Sequence, residues 1–301
     1  MMNSSTFPAL LYPGLKKTFG LAYNSYPVQF TQVFDMESSD KKTEFYQEEG
    51  GLGTFQATEE TQPINLDKGG EGYQTALTNI DYTLGFEITK NMINDDQYRT
   101  IMKFSTQLGV SAQQTREIVA ANILNNAFST SFSGSDGKPL CSPTHVVALT
   151  GGTYPNAPLQ SLSLSETSLR YVKTAISRLV DARGKRILAM GEKLIVPVAL
   201  QDKALKLTES ELEYETFNNA INPYKGGRGL FPKGVVVLNF LSSDVAWYIR
   251  TNIAGLIYQK RQEIEFFEDD KSRTLTRQYF AHYRDAFGWY DPRSIWGTEG
   301  L

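Results

Sequence analysis

The stretch KKTEFYQEEGGLGTFQATEETQPINLDKGGEG, residues 41–72, constrains this chain more than any other. It carries Gly50, Gly51, Gly53, Gly69, Gly70 and Gly72, acids from Glu44 to Glu71, and few large aliphatics. Neither a helix's apolar stripe nor a buried strand's apolar run can be drawn through it. A compact domain seldom carries so long a loop unless the loop is functional or disordered. A weak alternation at Phe45, Leu52, Phe55 and Ile64, with glycine at both ends, points to a third arrangement: a long two-stranded hairpin, roughly 41–75, projecting from its own domain. An isolated hairpin is only marginally stable in water. It needs a surface to lie on, and a neighbouring subunit is the obvious one.

Composition narrows the classes. With 301 residues, 41% hydrophobic and 12% aromatic, the chain can bury a substantial core as one large domain or two. A formal net charge of -3 gives no electrostatic footprint for nucleic acid. The single cysteine, Cys141, excludes an intramolecular disulfide framework and fits a reducing compartment. The N-terminal residues lack the pattern of a signal peptide. No apolar run approaches the ~20 residues that span a bilayer, so no membrane partner is expected.

Residues 1–33 interleave Pro8, Pro13, Gly14, Gly20 and Pro27 with Leu10, Leu11, Tyr12, Phe19 and Tyr23, and they read as an extended arm that docks on another surface. Ile80 to Thr89 alternates as a half-buried strand. A long helix is expected over 95–128, capped at Asn94 and again at Ser111, with Gly109 bending or interrupting it. Ser163 and Glu166 make a capping box for the next helix, with Gly184 as its terminator. Leu194–Val198 reads as a buried strand, Gln201–Thr208 as a short helix, Val235–Phe240 as a strand, and the segment near Asp244–Asn252 as a helix. Gln262–Phe267 and Thr274–Tyr283 read as a strand pair turning at Glu268–Lys271.

Motifs of catalysis are missing. There is no phosphate-binding G-x-x-x-x-G-K-[ST], no complete dinucleotide fingerprint, no nucleophile elbow and no H-E-x-x-H. His145 and His282 lack ligand-spaced partners. Cys141 and His145 invite a Cys–His nucleophile reading, although such pairs are usually assembled from distant segments. The aromatics Tyr279, Phe280, Tyr283, Phe287, Trp289 and Tyr290 fit a packed strand face better than a stacking platform, since few cations accompany them. No catalytic, cofactor or metal residue is assigned.

Three stretches, taken in order, carry a family signal: the glycine/acid-rich loop leading to a helix that ends AANILNNAF (120–128); SDGKPLCSPTH (135–145) and DARGKRILAMGEKLIVPVALQDKALKL (181–207); and FLSSDVAWYIRTNIAGLIY (240–258) leading to SRTLTRQYFAHYRDAFGWYDPRSIWG (272–297). In this order they resemble the major capsid protein of tailed bacteriophages, whose fold is shared with herpesvirus capsids and encapsulin compartments. The resemblance implies an α+β fold with an N-terminal arm (1–33), an extended β-hairpin loop (34–80), a peripheral domain holding a long spine helix (81–140 and 256–301) and an axial domain (141–255). It also implies no enzymatic activity and no cofactor. The expected role is an icosahedral capsid subunit assembling into hexamers and pentamers around double-stranded DNA, which it binds non-specifically. Assembly would occur in the bacterial host cytoplasm, with a separate scaffolding protein, a portal and a decoration protein as partners. Phe45, Leu52, Phe55, Ile64, Tyr12 and Phe19 are the expected inter-subunit contacts. Two other readings stay open: an encapsulin-type shell around a cargo enzyme, and a Cys141-dependent hydrolase.

Overall fold

The structure, a computed structural model, describes residues 7–60, 62–64, 66–95, 97–211, 221–225, 231–271 and 276–301. The turn expected at Glu268–Lys271 is instead the end of a strand, Leu256–Lys271, whose last four residues pair with Thr276–Tyr279.

Two four-stranded sheets organise the chain. The first has the order β1 (Asp35–Ser38), β10 (Leu256–Lys271), β11 (Thr276–Trp289) and β4 (Ile80–Thr89). The second has the order β12 (Ile295–Thr298), β9 (Trp247–Thr251), β7 (Gly191–Pro197) and β8 (Val235–Leu238). β2 (Thr43–Glu49) and β3 (Glu71–Thr78) form a separate antiparallel hairpin, as do β5 (His145–Val146) and β6 (Thr153–Tyr154).

The N-terminal segment is not an extended arm. Phe7–Ser25 forms helix α1, with Pro13 inside it. Proline forfeits a backbone hydrogen bond there. Leu11, Leu15, Phe19 and Ala22 compensate, because they share one face and are all buried against α3 and the first sheet. The long helix also departs from expectation. A short α2 (Lys90–Asn94) is capped by Thr89, whose side chain accepts from the Met92 amide, and α3 runs unbroken from Tyr98 to Asn125. Gly109 does not interrupt α3. A Cβ there would stand 2.7 Å from the Phe19 carbonyl oxygen, so the glycine is what lets α1 and α3 approach. Ser105 Oγ donates to Leu15 O (2.7 Å) along the same seam.

α3 is tied to the sheet beneath it by a buried ion pair. Arg116 Nε lies 2.8 Å from Asp285 Oδ2 on β11, and Tyr258 from β10 donates to the same oxygen. The neighbouring Glu117 accepts the backbone N–H of Gln29 at 2.6 Å and so receives the chain as it leaves α1.

In the second sheet, α4 (Glu166–Ile176) buries Leu169, Val172 and Ile176, and α5 (Gln201–Glu209) buries Ala204 and Leu207. Ser165, not Ser163, caps α4; Gly184 lies eight residues past its end, in a tight turn at φ +79°. The helix expected near Asp244–Asn252 is strand β9. Its residues WYIRT are buried at every position, as suits a central strand rich in aromatic and β-branched side chains. Residues 35–38, assigned to the loop from sequence, are an edge strand parallel to β10, and residues 295–298 pair with β9 rather than joining the first sheet. Strands β10 and β11 are longer than the expected pair.

A core of Tyr258 and Phe287 from the first sheet, Ile195, Val236 and Tyr248 from the second, and Leu124 from α3 joins the two sheets. Arg250 on β9 spans the same junction, donating to Val33 O and Ser294 O and pairing with Asp35 (2.6 Å).

Candidate assembly surface

The β2–β3 hairpin stands at the edge of this body. Its base is fixed by side chains: Tyr46 stacks on Tyr290 with ring centroids 5.3 Å apart and donates to Gln259 Oε1, while Glu48 pairs with the buried Arg293. Arg293 also reaches Asp291 Oδ1 (2.8 Å) and Val180 O (3.0 Å), so one guanidinium joins the hairpin, the turn after α4 and the C-terminal segment. Burial lowers the Arg293 pKa to about 10 and pushes the Asp291 carboxyl up to about 7.

Beyond the base, the 21 residues between β2 and β3 form no regular element among those described. They are nevertheless gripped at their root. Arg183 Nε donates to Gly50 O (3.1 Å), one Nη to Asp67 Oδ2 (2.8 Å) and the other to Lys68 O (2.6 Å). Lys185 donates to Leu52 O, and Gly53 N donates to Asp67 Oδ2 at 2.6 Å. The Gly53 amide and then the Arg183 guanidinium hold the Asp67 carboxyl below its ordinary pKa. The turn at Asp181–Lys185 can present two cations this way because Asp181 accepts the amides of Arg183 and Lys185 while Gly184 supplies the left-handed residue.

What the root holds up is apolar and bare. Phe55 is 107% exposed, Ile64 84% and Leu66 92% relative to a free residue, with Phe45 and Leu52 also exposed. Apolar side chains this open, clustered on one projecting segment, make it a candidate interaction surface. Of the six contacts expected from sequence, these four (Phe45, Leu52, Phe55, Ile64) are on offer. The other two are engaged within their own chain: Phe19 is 5% exposed and packs on Phe266 (5.2 Å), and Tyr12 stacks on the same ring and donates to its carbonyl. Sequence reading missed Leu66, which continues the spacing from Ile64. It also missed Arg183, whose contacts with residues 50–68 nothing local could reveal.

A second apolar strip runs along β4, an edge of the first sheet. Ile80 and Leu84 are exposed there, and Tyr82 and Leu84 line a groove with Leu108, Ala112 and Thr115 of α3. An edge strand with uncovered apolar residues is a template for pairing or packing with another chain.

The Cys–His reading does not fit this geometry. Cys141 is 2% exposed in the core between the sheets, and burial pushes its thiol pKa up, away from the thiolate a nucleophile needs. His145 is fully buried, with Nδ1 2.6 Å from Asp136 Oδ2 and its ring stacked on Tyr154. Among the described residues no cluster of three His, Cys, Asp or Glu side chains could hold a metal ion, and no helix is long and apolar enough to cross a membrane.

The fold is that of proteins that build closed shells. It is similar to the subunit in the procapsid of bacteriophage JBD30, at 16% identity and a TM-score of 0.52, over 100% of this chain and 77% of the other. It is similar to the virus-like particle from Pyrococcus furiosus, at 13% identity and 0.56, over 94% and 97%. It is also similar to the capsid of cyanophage P-SCSP1u, at 10% and 0.54, over 89% and 86%. Comparison with curated proteins returns no match. The family model described as phage capsid protein matches residues 73–297. The chain belongs to that family and is a structural subunit of an icosahedral phage capsid, which favours neither the cargo shell nor the hydrolase.

Proposed function

We propose that this subunit assembles with copies of itself into hexamers and pentamers of a closed shell around double-stranded DNA, and that the β2–β3 hairpin reaches across to an adjacent copy. The first sheet with α1 and α3 would form the peripheral domain, and the second sheet with α4 and α5 the axial domain. Scaffolding, portal and decoration proteins are the partners such a shell calls for, and the host cytoplasm is where it would be built. The role is structural rather than catalytic.

One observation carries the reading of the hairpin: Phe55, Ile64 and Leu66 are held out on a segment whose root is clamped by Arg183 and Lys185. A clamped root lowers the entropy lost when the tip docks, and each well-buried aromatic contributes roughly 2–3 kcal/mol to the contact. Phe55→Ala should leave the subunit folded and its thermal midpoint unchanged while reducing the yield of closed particles seen by electron microscopy. Undiminished particle yield would remove the hairpin from the interface.

A further inference from the structure

Net charge near zero conceals a separation of charge across the first sheet and its helices. On the helix side, α1, α2 and the first four turns of α3 contain no acidic residue, and the sequence there supplies Lys16, Lys17, Lys90, Arg99 and Lys103. All five are exposed. Lys16 rests over the Tyr12 ring (5.9 Å); Lys17, Lys90, Arg99 and Lys103 have no acidic partner among the described residues. Asp95, at the α2–α3 junction, is the one described acid between these helices. Thr18 Oγ1 meets Met102 Sδ at 3.5 Å, so α1 and α3 bring Lys17 and Lys103 onto one helical layer.

The opposite face of the same sheet is acidic. Phe266, Tyr279 and Phe86 point at the helices. By strand alternation Glu265 and Asp269 of β10, and Asp81 and Glu87 of β4, point the other way, whereas Glu268, opposite Tyr279, shares the helix-side face. Asp81 is paired with Arg284; Glu87 and Glu265 are exposed, with no ion pair among the described residues. The helices thus present cations with no acid of their own over this stretch, while Glu265, Asp269, Asp81 and Glu87 lie on the far face of the sheet.

Resting on the capsid reading above, we propose that the α1–α3 layer faces the interior of the shell and that Lys17, Lys90, Arg99 and Lys103 meet the phosphate backbone of the enclosed duplex. Few, exposed, unpaired cations on helices suit this partner. They bind phosphate without reading bases, and they hold it weakly enough for densely packed DNA to shift. The acidic sheet side repels the same polyanion.

The test measures binding of a mixed-sequence 30-bp duplex to the full-length subunit by fluorescence anisotropy between 50 and 200 mM salt. Neutralising three contacts in Lys17→Gln/Arg99→Gln/Lys103→Gln should lower the slope of log K against log salt by about 2–3 and weaken binding at the low-salt end more than tenfold. Glu87→Gln/Glu265→Gln, a charge change on the other face, should leave the slope unchanged. An unaltered slope in the triple variant, or no duplex binding by the parent subunit, overturns the proposal. An unaltered slope together with failed particle formation would assign the patch to the acidic hairpin of a second copy. If the parent subunit binds duplex with the expected slope yet builds no particles under any condition, it is the capsid reading that fails, and the face keeps its ligand.

Discussion

Gly109 on α3 lies directly beneath the carbonyl oxygen of Phe19 on α1, so close that a methyl group on its Cα would stand 2.7 Å from that oxygen and 3.1 Å from the Tyr23 amide. Both neighbours are backbone atoms, which cannot swing aside. Gly109→Ala would gain about 1 kcal/mol of helix propensity, but it must push the two helices apart. The net expectation is a loss of about 1–3 kcal/mol, read as a lower urea midpoint. A gain in stability would show that α1 does not pack this closely.

Arg116 and Asp285 make the complementary point about charge. Both side chains are almost completely buried. Asp285→Ala leaves the guanidinium without its counter-charge and should cost about 3–5 kcal/mol. Replacing both partners by apolar residues, Arg116→Met with Asp285→Leu, should cost less than either single change. A double-mutant cycle in urea checks this, and additivity would mean that the pair contributes nothing as a pair.

Freeing the hairpin's root should show in proteolysis. Arg183→Ala removes the donors to Gly50 O, Asp67 and Lys68 O while leaving the distant cores intact. Limited digestion of free subunits should then cut faster around Gly50–Gly53, with thermal stability of the remainder unchanged. In assembled particles the same bonds should be spared. Equal cleavage in both states would make the loop a surface excursion.

The pH dependence follows from burial. Asp291 has its pKa raised by burial to about 7, against about 3.9 in an unfolded chain. Between those values the folded state binds the extra proton, so this group's contribution to stability is lost as pH rises from about 4 to about 7. Burial shifts Glu117 and Asp285 in the same direction. The urea midpoint should therefore rise as pH falls from 7.5 to 5, and Asp291→Asn, which still can accept from Arg293, should flatten part of that slope. A midpoint that falls over this window would contradict the assignment.

Legibility in the sequence followed the range of the forces involved. β4, β7, α5 and β8 showed themselves because their burial imposes an apolar alternation or run on consecutive residues. The hairpin was readable from its glycine ends and from the absence of any other pattern. α1 was not, since local punctuation by Pro13, Gly14 and Gly20 is overruled by a stripe that acquires meaning only when α3 lies against it. β9 was taken for a helix because five consecutive buried residues carry no period of their own. Of the candidate surface, Phe45 on β2 and Leu52, Phe55 and Ile64 beyond it are apolar residues in a stretch with no core pattern, and all four are exposed. The Arg183 clamp joins residues more than a hundred positions apart and had no local signature.

Strands β9 and β12 are neighbours in the second sheet, yet the whole β10–β11 pair of the first sheet is synthesised between them. The first sheet in turn joins β1, near the start, to β10. The first sheet cannot close until β11 (Thr276–Trp289) has left the ribosome and the second until β12 (Ile295–Thr298) has, and contacts of such sequence separation form slowly. Translation therefore acts as a timer. A growing chain carries half-built sheets and has no finished second sheet to present to a neighbour until β12 has emerged.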